Sequence, residues 1–240
     1  MKVDDYYNYT AAQPAGTLEF TREASSSFAK DIAGDFNPIH NPDARRFCVP
    51  GDLLFAVVLD LFKARAKMEF EFEQMVDASV ALNVPLKERG LRMVDDTDKC
   101  YLDVSFSGDA VESDVANQSL ITAYVKFSGQ TFPYLLIDLM KKHGVMINAQ
   151  RPMIFYRTMS IELLETQCDD FELAYTESTL KVDGKKGEVD LLFDIVSANK
   201  VVGTGCKHML VGGLRDYQQE AIDDLIAEYN SIKSQYQSGK

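Results

Sequence analysis

The amino-acid sequence predicts an α+β protein of two similar units, each with a long helix packed against an antiparallel sheet. Residues 52–68 are apolar nearly all round, which predicts a helix buried on every side. The segments that follow alternate apolar and polar residues, the period of half-buried strands. A second helix, at residues 133–143, again precedes alternating segments. The repeated order of elements, without a clear sequence repeat, predicts the two units.

Length and composition suit a globular protein. The 240 residues allow one large domain or two small ones with a substantial core. Hydrophobic residues make up 46 % and charged residues 26 %, an ordinary balance for globular chains. The formal net charge of −12 disfavours nucleic acids and anionic membranes as partners, because both require a basic protein face.

The cysteines and the chain start bear on the compartment. The four cysteines, Cys48, Cys100, Cys168 and Cys206, are widely separated, with neither zinc-site spacing nor a disulfide framework. The first residues lack the apolar core of a secretory signal, and no apolar run approaches the ~20 residues that span a membrane. We therefore expect reduced thiols, no metal, no membrane partner and a cytoplasmic location.

The first elements lead towards a short polar motif. Residues 1–16 are polar and aromatic and are interpreted as an arm, ordered only if it docks on the rest of the chain. Residues 17–20 alternate and predict a short strand. Thr21 can then cap a helix that carries Phe28 and runs to about Ala33.

The motif at residues 34–40 reads Gly-Asp-Phe-Asn-Pro-Ile-His. Gly34 can adopt a left-handed conformation and end the preceding helix. Pro38 lacks an N–H and restricts the residue before it, so the segment cannot be a regular helix. The result is a rigid turn that holds Asp35 and His40 in a fixed relation. Such a pair suits proton transfer, because histidine both gives and takes protons near neutral pH.

The rest of the first unit is predicted to be mostly strands. Three segments have the alternating pattern: 79–86, 100–106 and 119–127. Residues 87–99 are charged, contain a glycine and predict a loop. We place the boundary between the units close to Ser128, which gives a first unit at 17–128 and a second at 129–213.

The second unit begins with the helix at 133–143, which Gly144 can end. Four alternating segments then predict strands: 153–164, 172–182, 188–196 and 200–211. Turn-forming residues at 183–187 and 198–199 predict the hairpins between them. A last helix at 214–236, followed by a tail to residue 240, carries an apolar stripe that must be covered.

The motif resembles the signature of the MaoC-like dehydratases, the (R)-specific enoyl-CoA hydratase or hydratase 2 superfamily. That signature is Gly-Asp-x-Asn-Pro-x-His, and it matches at every fixed position. Phe28 stands where the family carries an aromatic residue on the preceding helix. The resemblance covers directly only residues 20–68. It implies hot-dog units, here a double hot-dog in which an antiparallel sheet wraps around long central helices.

The resemblance also implies an activity. Members of the family add water to trans-2-enoyl-CoA and give (R)-3-hydroxyacyl-CoA, without a metal or redox cofactor. We therefore expect a hydratase or dehydratase whose partner is an acyl-CoA or acyl-carrier-protein thioester. The negative net charge does not exclude CoA, because its phosphates need only a local basic patch. Arg45 and Arg46 either supply that patch or form a solvated basic pair.

The family's functional residues correspond to specific positions of this chain. Asp35 and His40 would hold one water and handle its protons, and which of them is the base and which the acid stays open. Asn37 would shape the loop. Gly51 occupies the place where a backbone N–H at the start of the central helix polarises the thioester carbonyl, which the free N–H groups of a helix start favour. An ordinary glycine entering a helix is the alternative.

The chain departs from the family pattern around the motif. The family commonly has histidine before the helix-start glycine, where this chain has Pro50. It usually has aspartate two residues after the motif histidine, whereas here position 42 is proline and the aspartate is Asp43. The segment between His40 and Gly51 is also shorter. In the eukaryotic double hot-dog hydratases the motif lies in the C-terminal half, whereas here it lies in the N-terminal half.

Two alternatives to a hydratase therefore stay open. One is a non-catalytic acyl-thioester-binding or assembly protein, and the other is a hot-dog thioesterase, because one fold hosts several functions. The second unit lacks the motif and is expected to shape an acyl tunnel or to replace the partner subunit of a dimer, with a homodimer of the whole chain left open. We interpret His143 as a helix-end residue and His208, beside Cys206, as a packed histidine rather than a metal ligand.

Overall fold

The computed structural model describes residues 2–13, 15–148 and 152–239. Met1 and Pro14, which belong to the predicted N-terminal arm, lie outside these residues. The described helices and strands form an α+β architecture with one large antiparallel sheet. Within this part of the chain, every helix is too short or too polar to cross a membrane.

The N-terminal arm is docked on the sheet and the core. A 3₁₀ turn at Val3–Tyr6 buries the side chain of Val3. Strand β1 (Asn8–Thr10) pairs antiparallel with strand β2 (Gly16–Glu19), which confirms the strand predicted at 17–20. The arm therefore docks on the rest of the chain, which was the condition for it to be ordered.

The remaining elements follow in chain order. They are α1 (Arg22–Ser27), α2 (Gly51–Phe62), β3 (Arg65–Phe72), β4 (Leu82–Val84), β5 (Leu86–Lys87), β6 (Gly90–Val94), β7 (Cys100–Ala110), α3 (Asp114–Gly129), α4 (Leu136–Lys142), β8 (Val145–Met146), β9 (Met153–Leu163), β10 (Glu172–Asp183), β11 (Lys186–Ser197), β12 (Lys200–Gly212), β13 (Arg215–Asp216) and α5 (Gln219–Ser238). A π-helical stretch at Phe28–Ala33 extends α1, and another at Thr131–Leu135 precedes α4.

Eleven of the described strands form one antiparallel sheet in the order β1-β2-β4-β6-β7-β3-β9-β12-β11-β10, with β5 paired to β6. Strands β3 and β9 join the two halves, with Phe70 opposite Met159. Helix α2 lies in the main core, where Phe55 contacts the rings of Phe70 and Tyr124. One continuous sheet therefore spans both halves, and the predicted double hot-dog architecture is confirmed. Its division at residue 128 stays a prediction.

The segment at 119–127 is a correction, because it belongs to helix α3 and not to a strand. The hydroxyl oxygen of Ser113 accepts a hydrogen bond from the Ala116 N–H at 3.2 Å and caps the helix. The buried residues recur at the helical spacing of three and four: Ala116, Asn117, Leu120, Ile121, Tyr124, Val125 and Ser128. The alternation that predicted a strand involved Ile121, Ala123, Val125 and Phe127, and only Ile121 and Val125 of these belong to the helical set, so the longer helical pattern decides.

Three predicted boundaries also need correction. The central helix ends at Phe62 and not near residue 68, because Lys63 has a positive φ of 64° and the following residues form β3. The predicted loop at 87–99 contains strand β6. The last helix begins at Gln219 and not at 214, because the residues before it form β13, which pairs with β8.

The other predicted elements of the second half are confirmed. Helix α4 ends before Gly144, whose φ is 65°. Strands β9 to β12 cover the four predicted segments within one to two residues at each end. The hairpin between β11 and β12 turns at Ala198 and Asn199, both with positive φ, as a two-residue turn between twisted antiparallel strands requires.

Candidate active site

A cavity of about 960 Å³ opens beside the predicted motif. Its wall combines the motif loop, the start of α2, the end of α3, strands β9 and β12, and helix α5. Most of the lining side chains are apolar, among them Phe36, Leu54, Phe132 and Met209. Two groups of polar side chains in this wall bear on chemistry and are described in turn. The lining also includes other polar side chains: Asp43, Arg46, Glu73, Gln74, Arg157 and Glu228.

The first polar group is the loop pair, Asp35 and His40, and both side chains line the cavity. The Nε2 atom of His40 lies 3.6 Å from Oδ2 of Asp35. The other ring nitrogen, Nδ1, lies 2.7 Å from the carbonyl oxygen of Cys48. Because a carbonyl only accepts hydrogen bonds, Nδ1 carries the hydrogen, and Nε2 of a neutral imidazole is the acceptor that faces Asp35.

Local hydrogen bonds shape the loop that carries this pair. Gly34 has a φ of 71°, which favours glycine and ends the preceding helix. Oδ1 of Asp35 accepts a hydrogen bond from the Asn37 N–H at 2.8 Å, and Oδ1 of Asn37 accepts one from the Ile39 N–H at 3.2 Å. The side-chain oxygen of Asn37 is therefore occupied in the turn at Pro38–His40.

Helix α5 holds the same loop from the far end of the chain. The hydroxyl of Tyr229 donates a hydrogen bond to the Gly34 carbonyl at 3.1 Å and accepts one from the Phe36 N–H at 3.2 Å. These two peptide groups flank Asp35. In the sequence Tyr229 belongs only to the apolar stripe of the last helix, and nothing links it to a loop almost 200 positions earlier.

Of the other predicted site residues, Gly51 and Arg46 line the cavity together with the loop pair, whereas Arg45 does not. Gly51 lines the cavity as the first residue of α2. The N–H groups of Leu53 and Leu54 bond to the Pro50 carbonyl, which leaves those of Gly51 and Asp52 as the first-turn donors without a partner in the helix. A Cβ at this position would lie 3.4 Å from the rings of Phe72 and Tyr156. Both arginines are exposed, and the described residues that line the cavity include Arg46 but not Arg45.

A second polar group, called here the buried cluster, lies in the same wall and was missed by sequence analysis. Its members are Asp52, Ser128, Thr131, Tyr156 and Lys207. The Nζ atom of Lys207 donates hydrogen bonds to Ser128 Oγ at 2.6 Å and Thr131 Oγ1 at 3.2 Å. Ser128 Oγ donates to Asp52 Oδ1 at 2.8 Å, and the Tyr156 hydroxyl donates to the same oxygen at 3.0 Å.

Burial dominates the electrostatics of this cluster. Lys207 is 2 % exposed and Asp52 is 6 % exposed. Burial lowers the pKa of Lys207 to about 8, against the opposing effect of the carboxylates of Asp52 and Asp35. Burial likewise raises the pKa of Asp52, opposed by the charge of Lys207 and the hydrogen bond from Ser128.

One sequence signal could have revealed part of the cluster. Lys207 alternates along β12 with Met209 and Val211, which are buried, so it occupies an inward position where a lysine is unexpected. His208 points to the other face, where its Nδ1 lies 2.6 Å from Oδ1 of Asp190. Among the described residues, no group of three or more His, Cys, Asp or Glu side chains could hold a metal ion.

The comparison with known families gives this chain a family but no activity. The model of the family DUF3581, described as a protein of unknown function, matches residues 1–220. The chain belongs to this family. Nearly all of α5, including Tyr229, lies beyond the part that the DUF3581 model matches. A search of curated proteins gave no match.

Solved structures similar to this chain include a thioesterase, a hot-dog protein of unknown function and a dehydratase. An acyl-CoA thioesterase II from Mycobacterium marinum is 9 % identical with a TM-score of 0.45, covering 91 % of this chain and 100 % of that one. A hot-dog protein of unknown function from Alicyclobacillus acidocaldarius is 11 % identical with a TM-score of 0.49, covering 87 % and 97 %. A MaoC-like dehydratase is 10 % identical with a TM-score of 0.41, covering 88 % and 99 %. Likeness at this level transfers neither substrate nor mechanism.

Proposed function

We propose that this protein hydrates enoyl thioesters, or dehydrates the products, in the manner of the MaoC-like dehydratases. The substrate would be an enoyl-CoA or a carrier-linked enoyl group, and the product an (R)-3-hydroxyacyl thioester. The observation that supports this most is the loop pair: Oδ2 of Asp35 and Nε2 of His40 lie 3.6 Å apart on the wall of one cavity. At that separation one water molecule can contact both atoms at hydrogen-bond distances of roughly 2.6–3.2 Å.

The pair can supply both proton transfers of the reaction. Nδ1 of His40 donates its hydrogen to the Cys48 carbonyl, so Nε2 and the Asp35 carboxylate are the two groups that face the water. One proton is shared between them, so that one member of the pair is protonated and the other is basic. The basic member takes a proton from the water as its oxygen bonds to carbon 3 of the enoyl group. The protonated member gives its proton to carbon 2, and the pair returns to its starting charge. Dehydration is the same sequence reversed.

The start of α2 provides a place for the thioester carbonyl. Negative charge builds up on that oxygen when water adds to the double bond. The N–H groups in the first turn of a helix, together with its dipole, stabilise such charge. Gly51 lies in the cavity wall with the loop pair, so one substrate can contact both regions. The predominantly apolar wall suits an acyl chain.

The test is turnover of trans-2-enoyl-CoA substrates of several chain lengths by the full chain. Loss of the conjugated enoyl thioester, the chirality of the product and release of free thiol are measured together. Asp35→Asn is nearly isosteric but a poor proton acceptor, and His40→Ala removes the imidazole. Each should lower turnover by a factor of ~10²–10⁴, the usual contribution of a general acid or base, with a much smaller change in substrate affinity.

Matched controls are available elsewhere on the surface. Asp138→Asn and His143→Ala make the same chemical changes at exposed positions of and next to α4, and they should leave turnover unchanged. Wild-type protein that binds enoyl-CoA without converting it would contradict the proposal and favour a thioester-binding protein. Free thiol in place of a hydroxyacyl product would favour a thioesterase.

A further inference from the structure

We propose that Ser128 is a nucleophile that takes the acyl group of a thioester, with Lys207 as its general base. This second site lies in the same cavity as the loop pair but shares no side chain with it. It goes beyond hydration, because it needs no double bond in the acyl group. The substrate class is an acyl thioester, saturated or unsaturated, and the activity is transfer of the acyl group to Ser128 and then to water.

The argument begins with the position of the hydroxyl. Ser128 Oγ lies 2.6 Å from Lys207 Nζ and 2.8 Å from Asp52 Oδ1, so a basic group holds it on either side. Serine next to lysine is one of the recurring pairs of nucleophile and base in acyl transfer. Ser128, Lys207 and Asp52 all line the cavity, so the hydroxyl lies where an acyl group would enter.

The cluster has the parts that orient a base. Lys207 is held by Thr131 at 3.2 Å and by the ring of Tyr156, whose centroid lies 3.8 Å from Nζ. Asp52 is fixed by Ser128 and by the Tyr156 hydroxyl. A lysine that is 2 % exposed is desolvated, which makes its ammonium form easier to deprotonate than that of a solvated lysine. A buried ion pair adds little net stability, so stability alone does not account for these charges in a cavity wall.

The reaction can be written without any further reactant than water. Oγ of Ser128 bonds to the thioester carbonyl carbon, and its proton moves to the amine of Lys207. The carbon–sulfur bond then breaks, and the departing thiolate takes the proton from Lys207. In the second half, Lys207 accepts a proton from water, the water oxygen bonds to the carbonyl carbon, and the bond to Oγ breaks as Ser128 regains its proton.

The start of α2 can stabilise the negative charge that develops on the carbonyl oxygen in both steps. Asp52 belongs to the first turn of α2, so its hydrogen bond to Ser128 brings the nucleophile next to that helix start. The first-turn N–H groups can stabilise the negative oxygen of the tetrahedral intermediate. The acyl chain would occupy the apolar part of the same cavity, so both activities would use one binding site.

The experiment labels the full chain with an alkyl fluorophosphonate, which phosphonylates an activated serine irreversibly and releases fluoride. Intact mass and peptide mapping locate the adduct, and thiol release from a saturated acyl-N-acetylcysteamine thioester is followed in parallel. We expect one adduct, on Ser128, and thiol release by the unlabelled protein. A saturated thioester has no double bond to hydrate, so failure of hydration would not affect either measurement.

The variants separate the nucleophile from its base. Ser128→Ala should abolish the adduct and thiol release, whereas Ser119→Ala, a matched change in the same helix whose hydroxyl bonds to the Phe171 carbonyl, should label like wild type. Lys207→Met should slow labelling by a factor of ~10²–10⁴, the usual contribution of a general base. If that variant does not fold, the double variant Asp52→Asn with Lys207→Met removes both charges together and should label as slowly.

Three results would overturn the inference. The first is a wild-type chain that carries no adduct on Ser128 and releases no thiol. The second is an adduct on Cys48. Its thiol lines the cavity, but burial raises the pKa of this thiol to about 12, which keeps it protonated and poorly reactive. The third is a folded Lys207→Met or double variant that labels at the wild-type rate, since Lys207 would then not be the base.

Discussion

The two polar groups in the cavity wall are built in opposite ways. The loop pair is partly open to solvent, with side chains 26 % and 11 % exposed for Asp35 and His40, and its geometry comes from hydrogen bonds among residues close in the chain. The buried cluster draws Asp52 from α2, Ser128 from α3 and Lys207 from β12, and it is almost closed to solvent. One group is held by a turn, and the other by the packing of the whole fold.

This difference predicts whether a mutation in each of the two groups changes mainly stability or mainly activity. Removing a side chain from a partly solvated turn leaves water free to replace its hydrogen bonds, so stability changes little. Removing one charge from the buried cluster leaves its partner desolvated and without its counter-charge, and water in the cavity compensates only part of that cost. The loop pair should therefore respond mainly in turnover, and the buried cluster in folding as well as in chemistry.

The largest expected effect on stability comes from Lys207→Met. The change leaves the carboxylate of Asp52 buried without its cation, and breaking one side of a buried pair typically destabilises by about 3–5 kcal/mol. We expect a loss of this size in the free energy of unfolding, measured by urea denaturation. The matched change His40→Ala in the loop pair should lower it by less than about 1 kcal/mol.

The double variant Asp52→Asn with Lys207→Met sharpens this contrast. It removes both charges with side chains of similar size, so no unpaired charge remains and most of the lost stability should return. The energy of interaction from the double-mutant cycle should then be a large fraction of the single loss. A double variant as unstable as the sum of the two single variants would show that the two charges are not coupled.

The same contrast explains which parts of the site could be predicted from the sequence. The loop pair, its glycine and its proline lie within seven residues, so local backbone rules describe their arrangement. The buried cluster joins residues 76 and 79 positions apart, and no local rule relates them. Tyr229, which brackets Asp35 from α5, was out of reach for the same reason.

For the fold too, elements that follow local sequence patterns could be predicted, and those decided by long-range packing could not. The strands β9 to β12 and their hairpin turns follow from alternation and from positive-φ turn residues. Helix α3 was mistaken for a strand because Ile121, Ala123, Val125 and Phe127 also alternate, and only burial by α2 and the second half selects the helical period. Which strand pairs with which across the junction, as β3 does with β9, is decided by packing.

Gly129→Ala should perturb both polar groups at once. Gly129 follows Ser128, and an added Cβ would overlap the backbone oxygen of Ala33, directly before the loop that carries Asp35. Because the obstacle is backbone, we expect destabilisation near the upper end of the ~1–3 kcal/mol typical of overpacked sites. Thermal unfolding measures this. Gly184→Ala, at a hairpin tip with no atom within 4 Å of the new methyl group, should give a smaller loss.

Tyr229→Phe should affect the loop pair and spare the buried cluster. The change removes the hydroxyl that bonds the two peptide groups beside Asp35, while the ring keeps its contacts with Phe36 and Phe132. We expect about 1 kcal/mol of lost stability. If hydration is the activity, kcat should fall several-fold with KM unchanged, because Tyr229 positions Asp35 without contacting substrate.

The control for this positioning role is Tyr236→Phe, about two turns further along α5, where the ring also packs against Phe36. It should leave kcat unchanged. Fluorophosphonate labelling of Ser128 should be unaffected by Tyr229→Phe. A parallel fall in labelling and in hydration would contradict the separation of the two groups, because it would show that both depend on the same contact.

The smallest expected effect is the pH dependence of Ser128 labelling. Burial lowers the pKa of Lys207 to about 8, while the carboxylates of Asp52 and Asp35 act in the opposite direction. The other groups facing Nζ are the hydroxyls of Ser128 and Thr131 and the ring of Tyr156; the imidazole of His40 acts on Asp52. Only the amine form of Lys207 accepts a proton, so labelling should rise with pH and level off above about 8.

The size of this rise follows from the titration of one group. From half a pH unit below the pKa of Lys207 to half a unit above it, the amine fraction grows about threefold, and the labelling rate should grow by the same factor. The rate should be flat in folded protein that carries Asp52→Asn with Lys207→Met, because no titrating base remains beside Ser128. A wild-type rate that does not change across this range, in a protein whose Lys207→Met variant labels slowly, would assign the proton to Asp52. Lys207 would then act by its charge alone, since its ammonium form lies next to the developing serine alkoxide.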